Sequence, residues 1–193
     1  MRTTLSVPDA QLYFREIGNG SPQVILHGGP DFNHNYLLPE MDRLSRVFRL
    51  IYYDQRGRGK SSHGVIAGDV SIESEIDDLD RLRQHFGLES ISLLGHSWGG
   101  LLAMEYATPH PDRVSHLVLL NTAPACHADL LGFREQRQAA EAKSLAKMHS
   151  IADTRAYEDG DIDTGAEYYR AHFVDSVRSS RAARARTEPI AGL

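Results

Sequence analysis

Cysteine is nearly absent from this sequence, which contains one, Cys126, among 193 residues. A chain with one cysteine forms no internal disulfide, a pattern typical of proteins of the reducing cytosol. Also lacking are an apolar run of about 20 residues, which a membrane-spanning helix needs, and the apolar segment of a signal peptide. We therefore expect a cytoplasmic protein with no membrane partner.

An excess of positive charge is missing as well. The formal net charge is -5, which argues against nucleic acid as a partner. Hydrophobic residues make up 41% of the chain and charged residues 24%, an ordinary composition for a globular domain. The chain is long enough to bury a core of its own.

Residues 1–125 alternate between short apolar runs and helical patterns. The predicted strands are 5–7, 12–17, 24–26, 50–53, 91–94 and 114–120, and the predicted helices are 36–48, 72–86 and 98–107. Strands that alternate with helices predict an α/β fold, with a mostly parallel sheet flanked by helices. We expect residues 1–125 to form the core domain.

The pattern changes after residue 125. Residues 126–176 are charged and helical in pattern, with a predicted helix at 134–148, and we expect them to form part of a helical cap. Residues 177–193 are rich in arginine and alanine and have almost no apolar pattern. We expect this segment to be a disordered tail or one foreign to the fold.

The strongest chemical motif is Gly95-His96-Ser97-Trp98-Gly99, which fits G-x-S-x-G. It lies between a predicted strand and a predicted helix, the context of a nucleophile elbow. In such an elbow the serine hydroxyl stands at the edge of the sheet, and the following helix points its N-terminus at the developing oxyanion. Ser97 is therefore the predicted nucleophile.

His27-Gly28-Gly29-Pro30 follows an earlier predicted strand and predicts the second part of such a site. Acyl transfer needs two backbone N–H groups aimed at the oxyanion. One comes from the residue after the nucleophile, here Trp98, and the other from the loop after an earlier strand, here Gly29.

Asp54-Gln55-Arg56-Gly57-Arg58-Gly59-Lys60-Ser61 has the look of a phosphate-binding loop but lacks its pattern. The Walker pattern needs glycine at the position of Asp54, and G-x-G-x-x-G needs it at the position of Ser62. We interpret this segment as a structural loop in which Asp54 and Arg56 bond to nearby backbone.

Three segments, LHGGP, YYDQRGRGKS and LLGHSWGGLLAMEYA, together resemble the proline iminopeptidase branch of the α/β-hydrolases, over residues 12–173. The resemblance implies an eight-stranded sheet, a helical cap after the sixth strand, and cleavage of small amino-terminal residues or related amides and esters. It also implies Ser97 as nucleophile, with Gly29 and Trp98 as oxyanion donors.

This sequence departs from the family in two places. Asp31 stands where the family usually has glycine after HGGP, and the family's tryptophan-rich, glutamate-bearing cap segment is absent, since Trp98 is the sole tryptophan. Glu167 resembles a substrate-binding acid of other members, and the alternative is a solvated helix residue. Both departures favour a less strict specificity than that of a proline iminopeptidase.

The triad acid and histidine have no clear position in the sequence. In this fold they follow the serine along the chain. Asp129 is a candidate acid, and the candidate bases are His110, His116, His127, His149 and His172. The last two strand–helix units expected of the family are missing, so we expect the acid and histidine to be absent and the chain to be C-terminally truncated.

Two hypotheses follow. The first is a serine hydrolase that acts on a small molecule or short peptide, an amide or ester, through an acyl-enzyme, with no cofactor and no metal. The second is a catalytically incomplete homologue that is inert or only binds ligand. If the family's strand order holds, the strand at 114–120 is a sheet edge, so we also expect poor stability and self-association.

Overall fold

The computed structural model divides the chain into two compact units, residues 1–125 and 126–193. It describes residues 3–29, 32–124, 126, 128–129, 131–132, 135, 142–158 and 161–174. Among these residues, no helix has the length and apolarity that a membrane crossing requires.

The first unit is built on one mixed sheet of six strands, in the order β1-β2-β4-β3-β5-β6. The strands are β1 (Thr4–Val7), β2 (Ala10–Ile17), β3 (Ser21–Leu26), β4 (Phe48–Tyr53), β5 (Ile91–His96) and β6 (Val114–Leu120). The β1–β2 and β2–β4 pairs are antiparallel, and the other three pairs are parallel. The predicted α/β class, with its mostly parallel sheet flanked by helices, is confirmed.

Two helices pack on this sheet, and local sequence signals define the first. Helix α1 (Ile72–His85) begins after Ser71, whose hydroxyl accepts the N–H of Ser74, and ends before Gly87 at φ +64°. Helix α2 (Trp98–Ala107) follows β5 directly. Both helices were predicted, α1 from its apolar spacing and capping residues and α2 as a helix that ends before Pro109.

The apolar side chains of the sheet form two clusters. The larger includes alternate residues of β3, β4 and β5 together with the buried faces of both helices, namely Val24, Leu26, Ile51, Tyr53, Leu79, Leu82, Ile91, Leu93, Leu102 and Tyr106. The smaller cluster holds the intervening residues of the same three strands, Ile25, Leu50, Tyr52 and Leu94, together with Leu37 from the segment after β3. Strands buried on both faces read as continuous apolar runs, which is the pattern in the sequence.

The single helix predicted for 36–48 is wrong. The segment contains two short 3₁₀ helices, His34–Leu37 and Met41–Arg46. Pro39 lies between them, lacks the N–H that a helix needs, and disfavours a helical residue before it. Leu38 is accordingly extended, at φ -97° and ψ 150°.

The second unit is helical over its described residues. It contains α3 (Ala142–Ala152), α4 (Arg155–Glu158) and α5 (Ile162–Val174). Met148, Ile151 and Ala171 form a small buried cluster. The predicted helix at 134–148 is described only from 142 onward, apart from residue 135, and the predicted tail at 177–193 lies outside the described residues.

The strand at 114–120 closes one side of the sheet. Within the described part of the chain, β6 pairs with β5 alone. Four consecutive apolar side chains of this strand are 37–41% exposed, those of Leu117, Val118, Leu119 and Leu120. The exposed edge expected from the family's strand order is therefore confirmed.

Candidate active site

Ser97 occupies a strained turn between β5 and α2. Its backbone has φ +54° and ψ -117°, a region that side-chain-bearing residues rarely adopt and that costs about 1–3 kcal/mol. Hydrogen bonds on both sides hold the turn, because the Ser97 N–H donates to the Leu120 carbonyl at 3.0 Å and the Ser97 carbonyl accepts from Gly100 N–H at 3.0 Å. Strain held by its surroundings is a mark of functional positions.

The glycines two residues either side of Ser97 allow the turn to pack tightly. A side-chain carbon at Gly95 would overlap the Gly99 carbonyl, and one at Gly99 would overlap the carbonyls of Leu26 and His27. The elbow therefore lies directly against the end of β3. This close approach explains why the motif needs glycine at both positions.

The loop after β3 reaches Ser97 from the other side. A carbon added at Gly28 would lie 3.2 Å from the Ser97 Cβ, so the two backbones are neighbours at the carboxyl ends of β3 and β5. Gly29 follows Gly28, and Trp98 is the first residue of α2, whose first N–H groups lack partners within the helix. Their role as oxyanion donors stays a prediction.

His27 fixes this loop to the next one. Its ring is fully buried, Nδ1 lies 2.6 Å from the Gly28 carbonyl, and Nε2 accepts the Gln55 N–H at 3.0 Å. The Gln55 side chain returns a bond to the His27 carbonyl at 2.7 Å. Burial lowers the pKa of His27 to about 4, so the ring is neutral at pH 7.

The loop from Asp54 to Ser61 is structural, as interpreted from the sequence. The Asp54 carboxylate accepts the N–H groups of His34 at 3.1 Å and Lys60 at 2.9 Å. Burial alone would raise the pKa of Asp54, but bonds from His34 and Lys60 outweigh it and lower that pKa. Arg56 forms a buried two-bond pair with Asp78 and also donates to the Pro8 carbonyl.

Trp98 is held from its side chain as well. Its indole N–H donates to Glu75 Oε2 at 3.3 Å. Glu75 belongs to α1, is 2% exposed, and forms an ion pair with Arg58. The start of α2 is therefore fastened to α1 and to the loop after β4.

The candidate triad partners are dispersed. His110 is half-buried three residues after α2, His116 is exposed on β6, and His149 is exposed on α3. His127 and the His172 side chain lie outside the described residues, and Asp129 is exposed. Within the described part of the chain, no histidine bonds to the Ser97 hydroxyl.

Glu167 lies on α5 and is 53% exposed. Its carboxylate pairs with Lys147 at 3.1 Å, a contact within the second unit. The structure thus gives Glu167 the surroundings of a solvated helix residue. A substrate-binding role for it stays a prediction.

Two further polar side chains of the site escaped sequence reasoning. His34 Nδ1 bonds to the buried Asp54 carboxylate at 2.6 Å, and the Tyr36 hydroxyl contacts Gly28 and His96. Tyr36 begins the segment predicted as one helix, and His34 lies two residues before it. The signal that could have found them is that they follow β3, whose carboxyl end adjoins those of β4 and β5 in a parallel sheet.

The comparisons with known proteins agree with this geometry. The family model of the alpha/beta hydrolase fold matches residues 22–152. A proline iminopeptidase of Clostridium botulinum is 38% identical over 132 residues, which are 65% of this chain and 44% of that protein. The chain spans about half the length of the curated relatives it matches.

Solved structures show the same likeness. A proline iminopeptidase of Mycobacterium smegmatis is 26% identical with a TM-score of 0.62, covering 87% of this chain and 57% of that one. A thermophilic esterase of Thermogutta terrifontis is 32% identical with a TM-score of 0.54, covering 73% and 51%. The sheet order, the strained serine elbow and the matched family model together show that this chain belongs to the α/β-hydrolase fold family.

Proposed function

We propose that this chain carries the nucleophile and the oxyanion donors of a serine hydrolase that acts on a small amide or ester. The observation that carries the proposal is the backbone of Ser97, strained at φ +54° and placed against Gly28. A strained serine between a strand and a helix is the arrangement that exposes a nucleophilic hydroxyl.

The proposed reaction proceeds through an acyl-enzyme. The Ser97 Oγ attacks the substrate carbonyl, and its proton passes to a base. The oxyanion of the tetrahedral intermediate accepts the N–H groups of Gly29 and Trp98. Its collapse releases the amine or alcohol, and water then hydrolyses the acyl-serine. A histidine and an acid, for which the sequence gives no clear position, would activate Ser97.

The proposed substrate class is broader than amino-terminal proline. The relatives include proteins named proline iminopeptidase and one named esterase, which supports amides and esters alike. Trp98 is the sole tryptophan, so the tryptophan-rich cap segment of strict iminopeptidases is not in this chain. We expect a short acyl ester to be cleaved faster than a proline arylamide, measured side by side. A strong preference for the proline amide that is lost when its amine is blocked would refute this.

A fluorophosphonate probe tests the nucleophile. We expect labelling at Ser97, located by mass spectrometry, and its loss in Ser97→Ala. Ser62→Ala is the matched control, because Ser62 is an exposed serine in a loop. Labelling that persists in Ser97→Ala would refute the proposal.

One observation favours the second hypothesis for the chain as it stands, a catalytically incomplete homologue. Among the described residues, no histidine bonds to the Ser97 hydroxyl. An unactivated serine is a poor nucleophile, and the oxyanion site alone gives only residual activity. Turnover of a short acyl ester separates the two hypotheses, because a complete site sustains it and an incomplete site gives only residual turnover.

A further inference from the structure

The Tyr36 hydroxyl joins the two loops that meet at Ser97. It accepts the Gly28 N–H at 2.7 Å and lies 2.7 Å from His96 Nδ1. Gly28 belongs to the loop after β3, and His96 is the last residue of β5. One oxygen atom thus connects two segments that are 68 residues apart, since the residue numbers are 28 and 96.

The Tyr36 hydroxyl has the capacity for both contacts at once. It has one proton and two lone pairs, and the Gly28 N–H occupies one lone pair. The contact with His96 Nδ1 uses either the hydroxyl proton or the second lone pair, according to the tautomer of the ring. Burial lowers the pKa of His96 and raises that of Tyr36, so both groups are neutral at pH 7.

Both ends of this bridge stand close to a proposed oxyanion donor. Gly28 is one residue before Gly29, and His96 is one residue before Ser97 and two before Trp98. A loop with two successive glycines has much conformational freedom unless something holds it. Two oxyanion donors are effective only when both lie about 2.7–3.1 Å from the same oxygen.

We propose that Tyr36 is a positioning residue that holds the loop after β3 against the nucleophile elbow, so that the Gly29 and Trp98 N–H groups converge on one oxyanion. This inference rests on the proposed function. Tyr36 does not contact the reacting atoms and acts through the backbone of Gly28 and the ring of His96.

The substitution Tyr36→Phe tests the hydroxyl alone, because it removes the oxygen and keeps the ring. The Tyr36 ring packs against Phe32 at 5.3 Å and against His96 at 5.6 Å between centroids, and Tyr36→Phe keeps both contacts. The ring is 40% exposed, so we expect little change in the melting temperature. Tyr106→Phe is the matched control, because it also removes one hydroxyl, which donates to Asp80 at 2.9 Å, from a tyrosine at the other end of α2.

The first measurement is hydrogen exchange of backbone amides by NMR, which needs no activity. We expect the Gly28 amide to exchange at least about tenfold faster in Tyr36→Phe than in the unchanged chain, with the β3 amides unaffected, because exchange follows local opening. Tyr106→Phe should leave Gly28 protected. Equal Gly28 exchange in the unchanged chain and in Tyr36→Phe overturns the inference.

The second measurement is the saturation kinetics of fluorophosphonate labelling at Ser97. We expect the maximal labelling rate of Tyr36→Phe to fall about tenfold, with the half-saturating probe concentration unchanged, because transition-state stabilisation is lost without loss of binding. A rate equal to that of the unchanged chain overturns the positioning role and leaves the proposed function standing. No Ser97 labelling in the unchanged chain overturns both the proposed function and the positioning role, even if Tyr36 protects Gly28.

Discussion

Two adjacent parallel strands, β5 and β6, have similar apolar sequences and opposite surroundings. Leu93 of β5 is fully buried, whereas its register partner Leu117 on β6 is 39% exposed. β5 lies between β3 and β6, whereas β6 has a strand on one side only, within the described part of the chain. The comparison shows that a strand's neighbours decide its burial, and that its composition does not.

The sheet face beside β6 is also open. A groove of about 490 Å³ runs along the beginnings of β3, β5 and β6, with Gln23, Ser92, His116 and Val118 in its lining. The Gln23 amide nitrogen is buried there and has no hydrogen-bond partner among the described residues. This side of the sheet therefore combines exposed apolar side chains with a buried amide nitrogen that has no partner among the described residues.

The largest expected effect comes from a leucine-to-alanine substitution on each of the two strands. Leu93→Ala should lower the free energy of unfolding by about 2–5 kcal/mol, because it opens a cavity in a closed part of the core. Leu119→Ala on β6 should cost less than about 1 kcal/mol, because that side chain is already 41% exposed. Urea unfolding of both variants measures the difference, and equal losses would contradict the contrast between the strands.

The second effect is a dependence of stability on pH that arises from a buried residue. His27, after β3, has a folded pKa of about 4 against 6.5 when exposed. Between these pH values the unfolded chain binds more protons than the folded chain does. The contribution of His27 to the free energy of unfolding is therefore complete above pH 6.5 and is lost as the pH falls toward 4. This pKa shift corresponds to about 3 kcal/mol of unfolding free energy.

Urea unfolding from pH 7 to pH 4, compared with His27→Gln, measures this contribution. Glutamine keeps an oxygen that accepts the Gln55 N–H but does not titrate, so the variant should have the flatter profile. Other groups titrate in the same range, and the difference between the two profiles removes their effect. Identical profiles would show that His27 is not held neutral by burial.

The third effect concerns the exposed edge. Unpaired apolar strands associate, and an edge lysine opposes this. Val118→Lys should raise the concentration at which oligomers form by about tenfold or more, equivalent to about 1.4 kcal/mol. Val47→Lys adds the same charge at a position that is 64% exposed and outside the sheet edge. Light scattering over a concentration series measures both, and a monomeric unchanged chain would rule out association through β6.

The smallest expected effect concerns the residues that follow the same two strands. β5 is followed by Ser97 at φ +54° and β6 by Asn121 at φ +43°. Asparagine tolerates positive φ far better than serine does. Ser97→Gly should therefore stabilise the fold by about 1 kcal/mol, and Asn121→Gly should change it by only a few tenths. Thermal and urea unfolding measure both, and no gain at Ser97→Gly would mean that the turn stores no strain.

Much of the core domain was predictable because its signals are local. Ser71 and Gly87 bound α1, the run at 114–120 matches β6 in full, and the glycines around Ser97 define a turn that only a close backbone approach explains. The apolar spacing of residues 36–48 predicts one helix. Pro39 lacks the N–H that a continuous helix needs there, so the chain forms two short 3₁₀ helices instead.

The sequence by itself determined most strands and helices of the core and the strained turn at Ser97, because apolar period, capping and turn chemistry act between residues near in the chain. Only the tertiary structure decided that Tyr36 bridges Gly28 and His96 and that Glu75 holds the Trp98 indole. These contacts depend on the order in which distant strands pair. No local pattern encodes that order, because it is set by how the whole sheet buries its apolar surface.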